Sequence, residues 1–223
     1  ASTEEAVVLG GENRLAVKSA NGAWEIIGFC LAEETAPKRW RLTHLLRGLA
    51  GTEDACLAGA AAGSAVVVLD AAVLPLGLSR EERGRAFNWI GESVGSGGGR
   101  SGTHAFAGGL RAETPLSPVH LRASRRADGD IEIRWTRRGR VDADNWDAFE
   151  IPLDEPEERY AIDILAGEQA VRQAEVTGRS IFVYQATAEL ADFGVRQNTL
   201  TFRIMQMGRA VPMGIAARAQ VQL

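Results

Sequence analysis

Short stretches in which apolar and polar residues alternate strictly, cut by Gly, Asp, Asn and Pro, dominate the second half of this chain. In IEIRWT, Ile131, Ile133 and Trp135 alternate with Glu132, Arg134 and Thr136, the period-two signature of a strand with one wet face. YAIDIL puts Tyr160, Ile162 and Ile164 on one face, and LTFRIMQM puts Leu200, Phe202 and Ile204 opposite Thr201 and Arg203. GIAARAQVQL alternates Ile215, Ala217, Ala219 and Val221 with Arg218 and Gln220. EQAVRQAEVTG and SIFVYQATA read as two further strands, although AGEQAVRQAEV also fits a short helix. Ala127-Asp128-Gly129-Asp130 supplies a tight turn ahead of IEIRWT, because Asp and Gly tolerate the positive φ that such turns need. About seven short strands between turn residues predict an antiparallel sandwich.

The first half is β-rich but less regular. AVVL, LAVKS, WEIIGFCLAEE, RWRLTHLL, AVVVLD and RAFNWIGESV are strand candidates, with Asn21-Gly22 as a hairpin turn before Trp24. Thr52-Glu53-Asp54 can cap a helical turn through ACLAGAA, and Ser79 to Glu82 fits a capping box. The glycine-rich run GSGGGRSG at 95–102 costs too much backbone entropy for an element interior, and the prolines of TPLSP at 114–118 forbid a continuous ladder. THAFAGGL between them closes the first domain as a final strand. The expectation is an all-β protein: a small β-barrel or sandwich over residues 1–112, then an antiparallel β-sandwich over 115–223.

Composition excludes several classes. With 45% hydrophobic and 24% charged residues the chain is not disordered, and a net charge of −4 argues against a nucleic-acid binder. AVVVLDAAVLPLGL is interrupted by Asp70 and Pro75, so no run approaches the ~20 apolar residues of a spanning helix. ASTEEAVVL lacks a basic and apolar leader, which fits a processed chain or a piece of a longer one. Cys30 and Cys56 form no disulfide framework, and with His44, His104 and His120 dispersed no zinc set assembles. No metal and no cofactor are expected.

Catalysis finds little support. There is no GxSxG elbow, and the glycine run lacks the following Lys and Ser or Thr of a phosphate cradle. The paired acids, such as Asp154 and Glu155, stand side by side in turns, whereas glycoside hydrolysis needs two carboxylates facing each other across a cleft. DADNWD at 142–147 starts like a calcium loop but lacks its Gly and distal Glu. The basic strings around 122–127 and 134–140 fall on a strand's solvated face. Trp24, Trp40 and Trp135 read as core, whereas Trp146, in a polar loop, is a candidate surface contact. No catalytic residue is expected.

Two resemblances add to this. PLSPVHL, the tryptophan of IEIRWT, the tyrosine of YAIDIL, and the final pair TFRIMQMG and GIAARAQVQ resemble, in order, a fibronectin type III domain. THLLRGLAGTE at 43–53 resembles the LLRGRRGTE segment near the C-terminus of large tail proteins of siphophages and gene transfer agents, the baseplate or host-specificity "megatron" proteins. As there, it follows a strand like RWRLTHL and precedes one like AGSAVVVLD. Arg47, Gly48, Gly51, Thr52 and Glu53 carry the motif. Gly48 and Gly51 permit a tight turn, Arg47 and Glu53 can pair across it, and Thr52 can bond backbone amides. The resemblance implies a structural and adhesion module of a tail tip, assembled in the bacterial cytoplasm and oligomeric only within the particle. Its implied partners are other tail or baseplate proteins, a fibre, and a host-surface glycan. The alternative from the residues is an accessory carbohydrate-binding region of a bacterial glycosidase, with Trp146 and loop carboxylates holding sugar.

Overall fold

A computed structural model of the chain describes residues 1–95, 97–143, 147 and 149–223. The chain is all-β and forms two compact units, Ala1–Gly77 and Leu78–Leu223. No helix among the described residues is long and apolar enough to cross a membrane.

The first unit contains α1 (Glu5–Leu9), β1 (Arg14–Lys18), β2 (Trp24–Ala36), β3 (Arg39–Leu49), α2 (Glu53–Ala58) and β4 (Val66–Val68). Its four strands make one antiparallel sheet in the order β3-β2-β1-β4. The sheet stays open where a barrel or small sandwich was expected. β3 and β4 form its edges, and a small buried cluster, Leu15, Ile27 and Phe29, joins β1 to β2. Asn21 and Gly22 (φ 82°) turn the β1–β2 hairpin as expected.

Two expectations fail here. AVVL is helix α1, not a strand: Val8 is buried and packs so close to β2 that a Cβ on Gly28 would lie 2.7 Å from Val8 Cγ1. The missing side chain on Gly28 is what lets the helical turn sit down. Trp24 and Trp40 are not core. Both are exposed, Trp40 at 57%: β2 and β3 run on past the end of β1 as a two-stranded arm, where Trp40 faces Glu34, and Trp24 starts β2 opposite Lys18, whose ammonium lies 5.1 Å from the centre of its ring.

The second unit begins with a 3-10 turn (Arg80–Glu82) closed by the expected capping box, in which the Ser79 amide donates to Glu82 Oε2 at 2.9 Å. β5 (Ala86–Trp89) and β6 (His104–Ala107) form a separate hairpin, and a second 3-10 turn (Leu110–Glu113) leads into the sandwich. The glycine run lies in the loop between β5 and β6, which Glu92 and Arg100 bridge through both backbone and side chains. The compact units therefore divide at Gly77/Leu78, upstream of the break read from TPLSP. The 78–113 segment shares a cavity lining with sandwich residues Arg140, Asp154 and Arg209, so the prolines mark a change of direction inside one unit.

The sandwich consists of β7 (Val119–Arg125), β8 (Ile131–Thr136), β9 (Arg159–Ala166), β10 (Gln169–Thr177), β11 (Ile181–Tyr184), α3 (Ala186–Phe193), β12 (Thr199–Gln206) and β13 (Ala217–Gln222). A three-stranded sheet, β11-β8-β7, faces a four-stranded one, β10-β9-β12-β13, as an antiparallel sandwich. The alternating residues read from the sequence meet between them: Ile131, Ile133 and Trp135 with Tyr160, Ile162 and Ile164 and with Leu200, Phe202 and Ile204. Fully burying each such aliphatic or aromatic side chain stabilises the fold by about 1.5–3 kcal/mol. AGEQAVRQAEV resolves to strand β10, and SIFVYQATA divides: β11 stops at Tyr184 and α3 begins at Ala186. Asp130, in the turn before β8, accepts a hydrogen bond from the Ala186 amide at 2.9 Å and satisfies one of the donors left open at the helix start.

Trp135 meets Tyr160 edge to face at 5.0 Å. Burial, with Glu158 accepting its hydroxyl proton at 2.7 Å, pushes the Tyr160 pKa up to about 12; burial and Asp192 push Tyr184 up as well. These are the two tyrosines of the chain. A raised native pKa contributes stability that is present below the unfolded value of about 10 and is lost as pH climbs through the native one. Phenolate absorbance should therefore stay absent through pH ~10.5, where a free tyrosine is mostly ionised, and then rise together with loss of β-sheet circular dichroism. A phenolate signal appearing at pH ~10 with the fold intact would contradict the burial of both rings.

Candidate functional site

The 47–53 turn is built around a carboxylate. Glu25 lies on β2 in the same alternation as Ile27 and Phe29, so its side chain falls at the end of a core-facing stripe and is 0% exposed. β3 delivers the counter-charge through a bulge. Ile26 pairs with Leu49 and Gly28 with Leu46, so Arg47 and Gly48 together face the single residue Ile27. Such an extra residue re-aims a side chain, and Gly48 absorbs the backbone cost at φ 66°.

The guanidinium closes a fork on Glu25. Arg47 Nε donates to Oε1 at 2.8 Å and Nη2 to Oε2 at 2.6 Å, while the Gly48 amide adds a bond to Oε1 at 3.2 Å. Burial alone would raise the Glu25 pKa, but the hydrogen bonds from Arg47, Gly48 and the Cys56 thiol, with the Arg47 charge, hold it below the usual carboxylate range. Burial first, and then the anionic neighbour, push the Cys56 thiol up. The carboxylate is ionised with both oxygens occupied, so the arrangement positions chain segments and offers no general base.

Of the expected turn residues, the structure gathers all five at this place. Gly48, Ala50 and Gly51 have φ of 66°, 54° and 70°, the left-handed conformation that the turn requires. Thr52 bonds the backbone as expected: its hydroxyl donates to the Leu49 carbonyl at 2.7 Å and accepts from the Ile26 amide at 3.0 Å. Its own carbonyl accepts from the Cys56 amide at 3.0 Å, which opens α2. Arg47 takes Glu25 where Glu53 had been expected. Glu53 packs beside the turn glycine instead, its Cα and Cγ each 3.4 Å from where a Gly48 Cβ would sit. The residue that sequence reasoning missed is Glu25, and its signal was an acid in the inward register of β2.

Gly48→Val should destabilise the first unit by about 2 kcal/mol, since a β-branched residue is forced into left-handed backbone. Thermal unfolding of the variant measures this, and an unchanged melting temperature would remove the conformational argument.

The other residues singled out are scattered. His44 borders an apolar groove of about 390 Å³ with Leu9, Leu31 and Leu45; His104 starts β6 and His120 lies on β7. Cys30 and Cys56 are free thiols and half-buried. No group of three or more metal-ligating side chains occurs among the described residues. Trp146 lies outside the described residues, as do Asp144 and Asn145 of DADNWD. The basic strings do more than decorate a surface: Arg125 grips Glu189 with two bonds of 2.8 and 2.9 Å, and Arg140 holds Asp154 at 2.8 Å and Glu155 at 2.6 Å.

Comparisons with known proteins place some of this. Residues 1–67, which contain Glu25, the whole 47–53 turn and Cys56, match the family model described as Rcc01698-like, C-terminal. No curated protein matches the chain. Among solved structures, the crystal structure of the rat CD45 extracellular region, domains d3-d4, is similar at 12% identity and a TM-score of 0.36, covering 95% of this chain and 96% of that one.

Proposed function

We propose that this chain is a structural and adhesion module of a phage-like tail tip or baseplate protein, docking onto other tail proteins, a fibre or the host surface. One observation carries the reading. The segment that resembles the tail-protein motif, Arg47 to Glu53, is the one whose arginine, glycines and threonine tie β2, β3 and α2 around buried Glu25, and it falls inside the stretch that the Rcc01698-like model matches. A motif spent on holding a fold in place fits a part that bears load and positions a surface. The fibronectin-like unit is compatible with adhesion but is a scaffold shared by many functions, so it adds no weight.

In this reading the role is non-catalytic and the chain assembles in the bacterial cytoplasm into the particle's tail. The test is antibody labelling of particles purified from the source bacterium, read by negative-stain electron microscopy. Gold at the distal tail tip is the expected result. Label on capsids alone, or a protein that stays in the soluble fraction when particles sediment, would overturn the assignment.

A further inference from the structure

A polar cleft of about 710 Å³ in the second unit is lined by Arg80, Arg83, Arg140 and Arg209, by Glu113, Asp154 and Glu155, and by an apolar wall that includes Leu110, Leu153 and Pro156. Its volume falls within the ~300–1,000 Å³ typical of small-molecule sites.

Every carboxylate in it is already satisfied. Glu113 is held by Arg83. Asp154 Oδ2 accepts from the Arg140 amide at 2.9 Å and from its Nε at 2.8 Å. Glu155 Oε1 accepts from Arg140 Nη2 at 2.6 Å, and its Oε2 from the Arg209 amide at 2.9 Å. This last bond depends on Gly208, where a Cβ would lie 2.8 Å from Glu155 Oε1.

The donors are not used up. Arg80 and Arg209, both exposed, form no ion pair among the described residues. The cleft therefore has cationic donors to spare and no idle carboxylate. That balance selects an oxyanion, because guanidinium groups bind carboxylate and phosphate with strong charge-assisted hydrogen bonds. The apolar wall favours a ligand that carries a carbon face beside its charge.

We propose that this cleft binds the oxyanion, carboxylate or phosphate, of an acidic saccharide, with Arg80 and Arg209 as its principal contacts. The inference is independent of the tail-tip reading and stands or falls without it.

The test is isothermal titration of the 223-residue chain with a galacturonate oligomer, with glucose 6-phosphate and with inorganic phosphate. Saturable binding of one acidic sugar, tighter than inorganic phosphate and weakened by salt, is expected, and the sugar that binds identifies the oxyanion. The double variant R80A/R209A should weaken it about tenfold or more, each lost contact being a hydrogen bond to a charged group. R39A/R179A, which removes the same net charge at exposed arginines outside the cleft, should bind as the parent does. No saturable binding of either sugar, phosphate binding as tightly as both, or equal loss in the control variant would each overturn the proposal. Arg80 and Arg209 are exposed, so their replacement leaves the fold intact, and the titration of the parent chain already decides the first two outcomes.

Discussion

Arg125→Ala is expected to lower the stability of the sandwich by about 3–5 kcal/mol, the range for breaking a buried ion pair from one side. Glu189 on α3 is 0% exposed, and the Arg125 side chain on β7 only 21%. Arg125 reaches Glu189 with Nη1 and Nη2, and its Nη1 and Nη2 also donate to the carbonyls of Gly129 and Gln197, at 2.9 and 2.8 Å. One guanidinium thus joins β7, the turn before β8, helix α3 and the segment before β12. Truncation would leave a dry carboxylate whose other hydrogen bond comes from the Gln197 amide at 2.7 Å. The melting temperature should fall by roughly 10 °C, and amides of β8 and β9 should lose hydrogen-exchange protection.

The hydrogen bonds from Arg125, outweighing burial, hold the Glu189 carboxyl below its usual range. A depressed native pKa stabilises at pH values above the unfolded value of about 4.3 and stops doing so as pH falls through the native one. The difference between parent and variant should accordingly be full at neutral pH and shrink in acid. A difference that stays constant down to pH ~2 would mean that the arginine acts by packing its stem and not by its charge.

Arg47→Ala should destabilise the first unit by about 3 kcal/mol, the lower end for a broken buried pair. The lower end applies because Arg47 is 43% exposed and water can reach the gap, although Glu25 itself is fully shielded. The informative companion is the double replacement E25M/R47M. Removing both charges deletes the desolvation penalty along with the attraction, so the double variant should recover most of the loss. If it melts as low as Arg47→Ala alone, the stability of the turn comes from the Arg47 stem and the glycines, and the fork on Glu25 is incidental. Chemical denaturation with hydrogen exchange resolved over β2 and β3 separates the first unit's response from the sandwich's.

The sandwich was legible because strands such as β8 and β12 bury every second residue and leave the others part-exposed, although β9 is buried on both faces, with Ala161, Asp163 and Leu165 shielded as well as Tyr160, Ile162 and Ile164. Ile131, Phe202 and their neighbours sit where period two puts them, since a strand's side chains alternate whatever the tertiary context. Helix α1 was illegible for the opposite reason. Its four apolar residues carry no period, and what settles their conformation is the bare backbone of Gly28, some twenty positions away. Trp40 misled because alternation reports a pleat and not whether another layer lies over it. At the candidate site the left-handed glycines and the Thr52 bonds could be anticipated locally, whereas the partner of Arg47 could not. That partner depends on a bulge, which shifts register by one residue and leaves no mark in composition. Glu25 was visible as an acid in an inward position, an anomaly that acquires meaning only when a cation arrives from the next strand.

From Cys56 to Thr114 no described residue is buried. Neither hydrophobic cluster draws on this stretch, although it carries β4, β5 and β6. Selection on folding therefore bears on it only weakly, and its side chains can be exchanged with little penalty to the two cores. Replacements along this stretch are therefore expected to cost the fold far less than replacement of buried Glu25 or Glu189, each held by its arginine.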